Sequence, residues 1–150
     1  MNKSISREEI VSMIRSQDFG VLATYSGEYP YTSLISLDLS EDTRWLIFPT
    51  MRQTQKYANI LHEARVSILL DNRASVASDG QSAYAMTVMG SAFEIEARFI
   101  DACTKQFLMR HPNLSKFLSS PQTALMGISI LKIIFVEKFQ DVQEVDYPPA

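Results

Sequence analysis

Six polar residues between Pro49 and Tyr57 have the side-chain types best suited to binding chemistry. They supply hydroxyls, amides and two cations, and they are Thr50, Arg52, Gln53, Thr54, Gln55 and Lys56. The apolar run ending at Phe48 predicts a strand, and Tyr57, Ile60 and Leu61 recur at helical spacing, so the polar group lies where a strand gives way to a helix. A helix N-terminus has unsatisfied N–H groups and about half a positive charge, which suits a phosphate. An ordinary threonine-capped surface helix would show the same local pattern.

The elements that must position these residues follow from periodicity and turn residues. Short apolar or alternating runs predict strands over residues 19–24, 29–39, 44–48, 66–70, 83–96 and 126–136. Ser6 and Glu9 match a capping box at the start of a first helix. Further helical patterns follow at Tyr57, Ile60 and Leu61, over residues 97–110, and in a short piece with Leu114, Phe117 and Leu118. Gly90 predicts a bulge or a close backbone contact within its strand. Residues 73–81 predict a loop, and residues 140–150 form an acidic tail.

This order of elements predicts a mainly β (α+β) fold with one antiparallel sheet. Hairpin-length loops join most of the strands, which favours antiparallel pairing. Six strands of this length with few helices favour a closed barrel over an open sandwich.

Composition limits the class of protein. With 150 residues, 46% hydrophobic and 21% charged, the chain predicts a single globular domain over residues 1–150. No apolar run approaches the roughly 20 residues of a membrane span, and no secretory signal pattern is present, so we expect a cytoplasmic protein with no membrane partner. The single cysteine, Cys103, excludes an intrachain disulfide and a multi-cysteine metal site. A net charge of −3 without a basic cluster argues against nucleic acid as a partner.

The first and last predicted strands indicate a homodimer. Both are apolar on the two faces, whereas a barrel strand usually turns alternate residues towards water. The predicted helices are too few to cover both outer faces, so a second copy of the barrel is expected to do so. The alternative is that the helix over residues 97–110 covers the last strand by itself.

With this order of elements in place, the sequence resembles the FMN-binding split-barrel family related to pyridoxamine 5′-phosphate oxidase. The resemblance extends over about residues 6–136, and the order and spacing of its motifs carry it. These motifs are Phe19-Gly20-Val21-Leu22-Ala23-Thr24, Gly27, Pro30-Tyr31-Thr32-Ser33-Leu34, Phe48-Pro49-Thr50, Thr54-Gln55-Lys56, Asn59 and Thr87-Val88-Met89-Gly90-Ser91-Ala92. The resemblance implies a six-stranded antiparallel split β-barrel with flanking helices, and a homodimer with FMN in a cleft between the subunits.

The resemblance also implies which residues bind the cofactor. Lys56 would grip the phosphate, with Thr50, Thr54 and Gln55 completing the phosphate shell. Residues of the second strand would line the edge of the flavin ring, and two residues of the third would lie alongside. These are Tyr31, Thr32, Ser33, Leu34, Phe48 and Pro49. Residues 89–91 of the partner chain would approach the same cleft.

The resemblance is incomplete at two points. Gln55 occupies the position at which the founding oxidase has an arginine before the phosphate lysine, and Arg52 is a candidate replacement. The substrate-binding Arg-x-His arrangement near the oxidase's C-terminus has no counterpart in residues 142–147. We therefore expect an FMN-dependent oxidoreductase of another substrate. The alternative is a non-catalytic flavin, deazaflavin or haem binding protein on the same dimeric barrel, or a barrel that has lost its ligand.

No side chain stands out as a catalytic acid, base or metal ligand. His62 falls at the end of the second predicted helix, where a cation is stabilising, and His111 precedes Pro112 at a helix break. Cys103 lies on the apolar face of its helix and is interpreted as a core residue. Flavin chemistry would in any case reside in the cofactor.

Overall fold

The computed structural model describes residues 4–73, 83–138 and 141–148, and the following statements concern these residues. The strands are β1 (Phe19–Tyr25), β2 (Pro30–Ser36), β3 (Asp38–Leu39), β4 (Trp45–Met51), β5 (Arg65–Asp71), β6 (Tyr84–Glu94), β7 (Thr123–Glu137) and β8 (Asp141–Asp146). The helices are α1 (Arg7–Arg15), α2 (Gln55–His62), α3 (Ala97–Arg110) and α4 (Ser115–Ser119), with a 3-10 turn at Pro112–Leu114.

All the strands belong to one antiparallel sheet that curves into a split barrel. The neighbour order is β2-β1-β5-β6-β7-β4-β3, and β8 pairs with the second half of β7. β2 continues into β3 through Leu37, so the chain itself joins the two ends of this path. One edge of β7 pairs with β6, while its other edge pairs first with β4 and then with β8. The predicted mainly β split-barrel fold is confirmed.

The number of strands differs from the prediction. The described residues contain eight strands rather than six. The predicted strand over residues 29–39 is divided at Leu37 into β2 and β3. Residues 141–146 of the acidic tail form β8. Their own strand propensity is weak, but pairing with β7 satisfies their backbone hydrogen-bonding groups. Most of the predicted loop over residues 73–81 lies outside the described residues.

The barrel interior is a closed apolar core, and α1 packs against it. Ile10 and Ile14 of α1 are fully buried against the barrel core, as the predicted helical stripe requires. A second, smaller cluster forms where α3 places Phe107 against Ile47 of β4 and Leu125 of β7. Apolar burial of this kind stabilises the fold by about 25 cal/mol per Å² removed from water.

Two local predictions about helix and strand geometry are confirmed. Ser6 and Glu9 form the capping box, with Ser6 Oγ accepting from the Glu9 N–H at 3.1 Å. The register between β6 and β7 shifts between Met89 and Gly90, and a Cβ on Gly90 would lie 2.1 Å from the carbonyl oxygen of Ser129. Only glycine allows so close a backbone contact.

The longest described helix, α3, has 14 residues. No described helix combines the length and the apolar composition that crossing a bilayer requires.

Candidate functional site

The turn between β4 and α2 is organised by two threonine hydroxyls. Thr54 is the N-cap of α2: its Oγ1 accepts from the Tyr57 N–H at 3.4 Å and donates to the Met51 carbonyl at 2.8 Å. Thr50 Oγ1 lies 3.1 Å from Thr54 Oγ1. Because the Thr54 proton is directed to Met51, Thr50 is the donor in this pair. Both hydroxyl protons are therefore engaged, and each would have to turn before it donated to a phosphate.

Lys56 lies in the first turn of α2, half-buried, and is the unusual residue of this turn. Within residues 4–73, 83–138 and 141–148, its ammonium group makes no hydrogen bond or ion pair. Burial holds the pKa of Lys56 below the ordinary lysine value, because withdrawal from water disfavours the charged form. No acidic residue stands in the first turn of α2 to offset this cation.

Arg52, the candidate replacement for the missing arginine, is committed elsewhere. Its guanidinium pairs with Glu94 at the end of β6, and the Tyr57 hydroxyl donates to the other carboxylate oxygen at 3.2 Å. Burial and the Glu94 carboxylate raise the pKa of the Tyr57 hydroxyl. Lys56 is thus the cation of this turn that remains available to an anion.

Gln55 and Asn59 connect α2 to β1. The Gln55 amide nitrogen donates to Asn59 Oδ1 at 2.7 Å, and the Asn59 amide nitrogen donates to Thr24 Oγ1 at 3.0 Å. Asn59 and Thr24 are both buried. Thr24 is opposite Tyr31 in the β1–β2 ladder, so this chain of hydrogen bonds holds the start of α2 beside the strand predicted to line the flavin.

The four predicted residues of β2 divide between the two faces of the sheet. Tyr31 and Ser33 are opposite the buried residues Thr24 and Leu22 and share their side, whereas Thr32 and Leu34 share the outer side. The Ser33 hydroxyl is buried and, among the described residues, has no hydrogen-bond partner. A buried polar group normally has a partner, so the Ser33 hydroxyl is an exception among the described residues.

Phe48 and Pro49, the two residues of β4 before Thr50, were predicted to lie alongside the flavin. The Phe48 side chain is fully buried in the barrel core, so only its backbone could face a ligand. Pro49 is also buried and lies beyond the two residues of β4 that pair with β3. A proline fits there because that edge of β4 needs no backbone donor.

The structure therefore brings Thr50, Thr54 and Lys56 together at one turn and ties Gln55 to the strand carrying Tyr31 and Ser33. Sequence reasoning did not assign roles to three residues that hold this arrangement in place: Thr24, Asn59 and Glu94. Thr24 and Asn59 both belong to the motifs of the resemblance, which is the one sequence signal that could have identified them. The turn can offer an anion one full positive charge and the backbone N–H groups of a helix N-terminus.

The two histidines and the cysteine are the remaining side chains that the sequence analysis considered for catalysis or metal binding. His111 is buried, and its Nε2 donates to the Leu37 carbonyl at 2.9 Å. His62 is exposed in the last turn of α2. Burial, assisted by the nearby Asp42 carboxylate, raises the pKa of Cys103, which favours the protonated thiol over the nucleophilic thiolate. Among the described residues, no three His, Cys, Asp or Glu side chains are grouped closely enough to hold a metal ion.

A split barrel with this strand-to-helix turn occurs in a known family. The family model described as pyridoxamine 5′-phosphate oxidase matches residues 6–137, which is most of the chain. The chain therefore belongs to the pyridoxamine 5′-phosphate oxidase family. No protein of curated function matches the sequence.

Solved structures share the fold at low sequence identity. A heme binding protein from Mycobacterium smegmatis is 18% identical with a TM-score of 0.85, and the alignment covers 97% of this chain but only 60% of that protein. General Stress Protein 26 from Bacillus anthracis is 20% identical with a TM-score of 0.72, covering 93% of this chain and 97% of that one. An FAD-binding protein from Mesorhizobium loti is 17% identical with a TM-score of 0.69, covering 87% and 92%.

Proposed function

We propose that this protein is an FMN-binding flavoprotein that acts as an oxidoreductase, with Lys56 as the cation that binds the FMN phosphate. The observation that carries the proposal is a half-buried ammonium group at the start of α2 that has no partner among the described residues. A cation at a helix N-terminus is repelled by the helix dipole, and burial adds a desolvation cost. A bound phosphate would remove both penalties, since it would accept from Lys56 and from the free N–H groups of the first turn.

The other residues of the proposed site fit this ligand. Thr50 and Thr54 can reorient their hydroxyls towards a phosphate, and Gln55 has an amide oxygen that accepts no described hydrogen bond. The buried Ser33 hydroxyl supplies a polar group for the ring system of the flavin. Tyr31 and Thr32 border it on β2, where backbone groups and side chains can contact the ring edge.

The chain's own residues would bind and orient the cofactor. Bound FMN supplies hydride or electron transfer, and the protein supplies position and electrostatics. No described side chain is placed as a catalytic acid or base. Without a counterpart to the Arg-x-His arrangement, the substrate is proposed to differ from pyridoxamine phosphate. The single cysteine accords with a reducing, cytoplasmic location as part of this proposal.

The proposal includes a homodimer with the cofactor cleft between the subunits. On the outer face of the sheet, Leu34 and Leu131 are 70% and 69% exposed, and Leu69 is 38% exposed. α3 covers the first half of β7 through Leu125, but it leaves Leu131 in the second half uncovered. This pattern favours coverage by a second copy over coverage by α3 alone, because large apolar side chains left exposed on one face of a sheet favour an interaction there.

Haem is the second candidate ligand. The similarity in fold to the Mycobacterium smegmatis heme binding protein favours it. Against it, His111 is committed to the Leu37 carbonyl, and His62 is exposed at the far end of α2 from Lys56. The visible absorption spectrum of the purified protein separates the candidates, since flavin and haem bands differ and the released ligand can be identified.

Titration with FMN and with riboflavin tests the phosphate site directly. The two ligands share the ring system, so the ratio of their dissociation constants isolates the phosphate. We expect Lys56→Gln to weaken FMN by about ten- to a hundred-fold, which corresponds to the 1.5–3 kcal/mol of a charge-assisted hydrogen bond, and to leave riboflavin unchanged.

Lys105→Gln is the matched control, because Lys105 is an exposed lysine of α3. It should alter neither affinity. Equal FMN binding by wild type and Lys56→Gln would remove Lys56 from the site. Wild-type protein that binds neither ligand would end the flavin proposal.

A further inference from the structure

A polar cavity lies at the opposite end of β4 from Lys56. Its volume is about 420 Å³, and it is bordered by the first residue of α1, the β3–β4 turn, the middle of β7 and the segment after β8. Its lining residues are Arg7, Asp42, Arg44, Ser129, Ile130, Tyr147 and Pro148. The seven residues of β4 separate it from the α2 turn by roughly 20 Å, at about 3.3 Å per residue, so the two sites are distinct.

Two arginines border this cavity with most of their donors free. Arg44 makes no side-chain hydrogen bond or ion pair within the described residues. Arg7 donates once through Nη2, to Thr43 Oγ1 at 2.6 Å, which leaves its other N–H groups available. A guanidinium has five N–H donors in a planar fork that matches carboxylate and phosphate oxygens. The exposed Ser129 hydroxyl adds a donor at the wall of the cavity.

The turn that carries Arg44 is held rigidly. Thr43 has a φ of 64°, which is unfavourable for a β-branched residue. The Arg7 guanidinium donates to the Thr43 hydroxyl, and the Tyr147 hydroxyl donates to the Thr43 carbonyl at 2.5 Å. Asp42 Oδ1 accepts from Ser40 Oγ at 2.7 Å and from the Arg44 N–H at 3.1 Å. Because the turn is already ordered in the free protein, a ligand that binds there loses less free energy to ordering the chain.

The charges at the cavity favour a small anion. Two guanidinium groups face one carboxylate, Asp42, so the cavity has one net positive charge. Hydrogen bonds from Ser40 and from the Arg44 N–H, together with the Arg44 charge, outweigh burial and hold the pKa of Asp42 below its usual range. The Asp42 carboxylate is therefore charged at neutral pH and opposes an anion, which limits the affinity.

We propose that this cavity binds the oxyanion group of a small molecule, a carboxylate or a phosphate, through Arg44 and Arg7. This site is independent of the flavin site and does not require it. A ligand bound here would contact α1, the β3–β4 turn, β7 and the segment after β8 together, and would stabilise their arrangement in the folded state.

Calorimetric titration with inorganic phosphate and with malonate tests the proposal, using Lys56→Gln protein so that the α2 turn does not contribute. Sodium chloride at matched ionic strength is the reference for non-specific screening. We expect saturable binding of at least one of the two anions. Adding Arg44→Gln should weaken it by about ten- to a hundred-fold. Adding Asp42→Asn should strengthen it, because the amide keeps an acceptor for the turn and removes the opposing charge.

Arg98→Gln is the matched control, since Arg98 is an exposed arginine of α3 that does not line the cavity, and it should leave binding unchanged. Thermal unfolding verifies that each variant folds, and Arg7→Gln is a second variant at the cavity. Tighter phosphate binding assigns a phosphate ligand, and tighter malonate binding assigns a carboxylate. The proposal is overturned if neither anion binds, or if Arg44→Gln and Arg7→Gln proteins bind as tightly as their parent.

Discussion

Two helix ends in this molecule carry a cation withdrawn from water, and they differ in how that cation is satisfied. At the end of α3, Arg110 donates to Asp38 at 3.3 Å, to Asp18 at 3.2 Å and to the Gln17 carbonyl at 2.7 Å. Asp38 is only 4% exposed, and this pair closes α3 onto the chain around β1 and β3. At the start of α2, Lys56 has no partner within the described chain.

The helix dipole makes this difference informative. A cation near a helix C-terminus is stabilised, whereas one in the first turn is destabilised. Arg110 therefore fits its position through both the dipole and its hydrogen bonds, and its role is structural. Lys56 is unfavourable by both criteria, and no described contact compensates for it. Positions that break a local rule in this way are expected at functional sites, which is why we propose Lys56 rather than Arg110 as a ligand-binding residue.

The largest expected effect is on stability at Arg110. Arg110→Ala leaves the buried Asp38 carboxylate without its charged partner, so we expect a loss of about 3 kcal/mol in the free energy of unfolding, measured by urea denaturation. Arg98→Ala, on the same helix, is the control because its pair with Glu96 is exposed and should contribute at most about 1 kcal/mol. Equal losses in the two variants would contradict a buried structural role for Arg110.

The next effect tests the connection between α2 and β1. Asn59→Ala leaves the buried Thr24 hydroxyl without its donor, so we expect about 2 kcal/mol of destabilisation. If this link positions Lys56, FMN binding should also weaken while riboflavin binding changes less. Asn113→Ala, at an exposed position of the 3-10 turn, should leave both properties unchanged. Unchanged FMN affinity in a folded Asn59→Ala protein would show that the Asn59–Thr24 hydrogen bond does not position the proposed FMN site.

The affinity for FMN should depend on pH through Lys56. Because burial lowers the pKa of Lys56 in the free protein, the ammonium loses its proton below the ordinary value of 10.5. A phosphate, which is fully ionised above a pKa of about 6, binds the protonated form. We expect the preference for FMN over riboflavin to fall as pH rises through the lowered pKa of Lys56 towards 10.5. The Lys56→Gln protein should show no such fall, and a parallel fall in that variant would assign the titration to another group.

The lowered pKa of Lys56 makes the folding stability of the free protein change with pH in the opposite direction to its affinity for FMN. Since the folded pKa of Lys56 lies below the unfolded one, the unfolded chain binds more protons between the two values, and stability rises with pH across that interval. At pH values below that interval, the burial of the charged Lys56 therefore costs folding stability in the free protein.

The smallest expected effect is on stability at Lys56. Lys56→Met removes a cation that has no partner among the described residues, so we expect a free energy of unfolding equal to that of wild type or up to about 0.5 kcal/mol higher in the absence of flavin. Lys105→Met provides the exposed comparison. A loss as large as that of Arg110→Ala would show that Lys56 has a structural partner after all.

Much of the fold could be predicted because its signals are local. The alternation of apolar residues located the main strands, Ser6 and Glu9 fixed the start of α1, and Gly90 marked the β6–β7 bulge. The sequence also predicted the strand-to-helix turn that carries Thr50, Thr54 and Lys56. An apolar run that stops and is followed by helical spacing can be recognised from neighbouring residues alone. The predicted homodimer and single domain remain predictions.

The partners of each side chain could not be predicted, because they come from distant parts of the chain. β8 depends on β7, and the pair of Arg52 with Glu94 spans 42 positions. Arg110 and Asp38 are 72 positions apart. The sequence alone determined where a cation and its hydroxyls stand relative to a helix start, since this depends only on adjacent residues. Tertiary structure alone decided that Arg52 is paired with Glu94 while Lys56 has no partner among the described residues. The solvation and pairing of a charge depend on residues that only folding brings together.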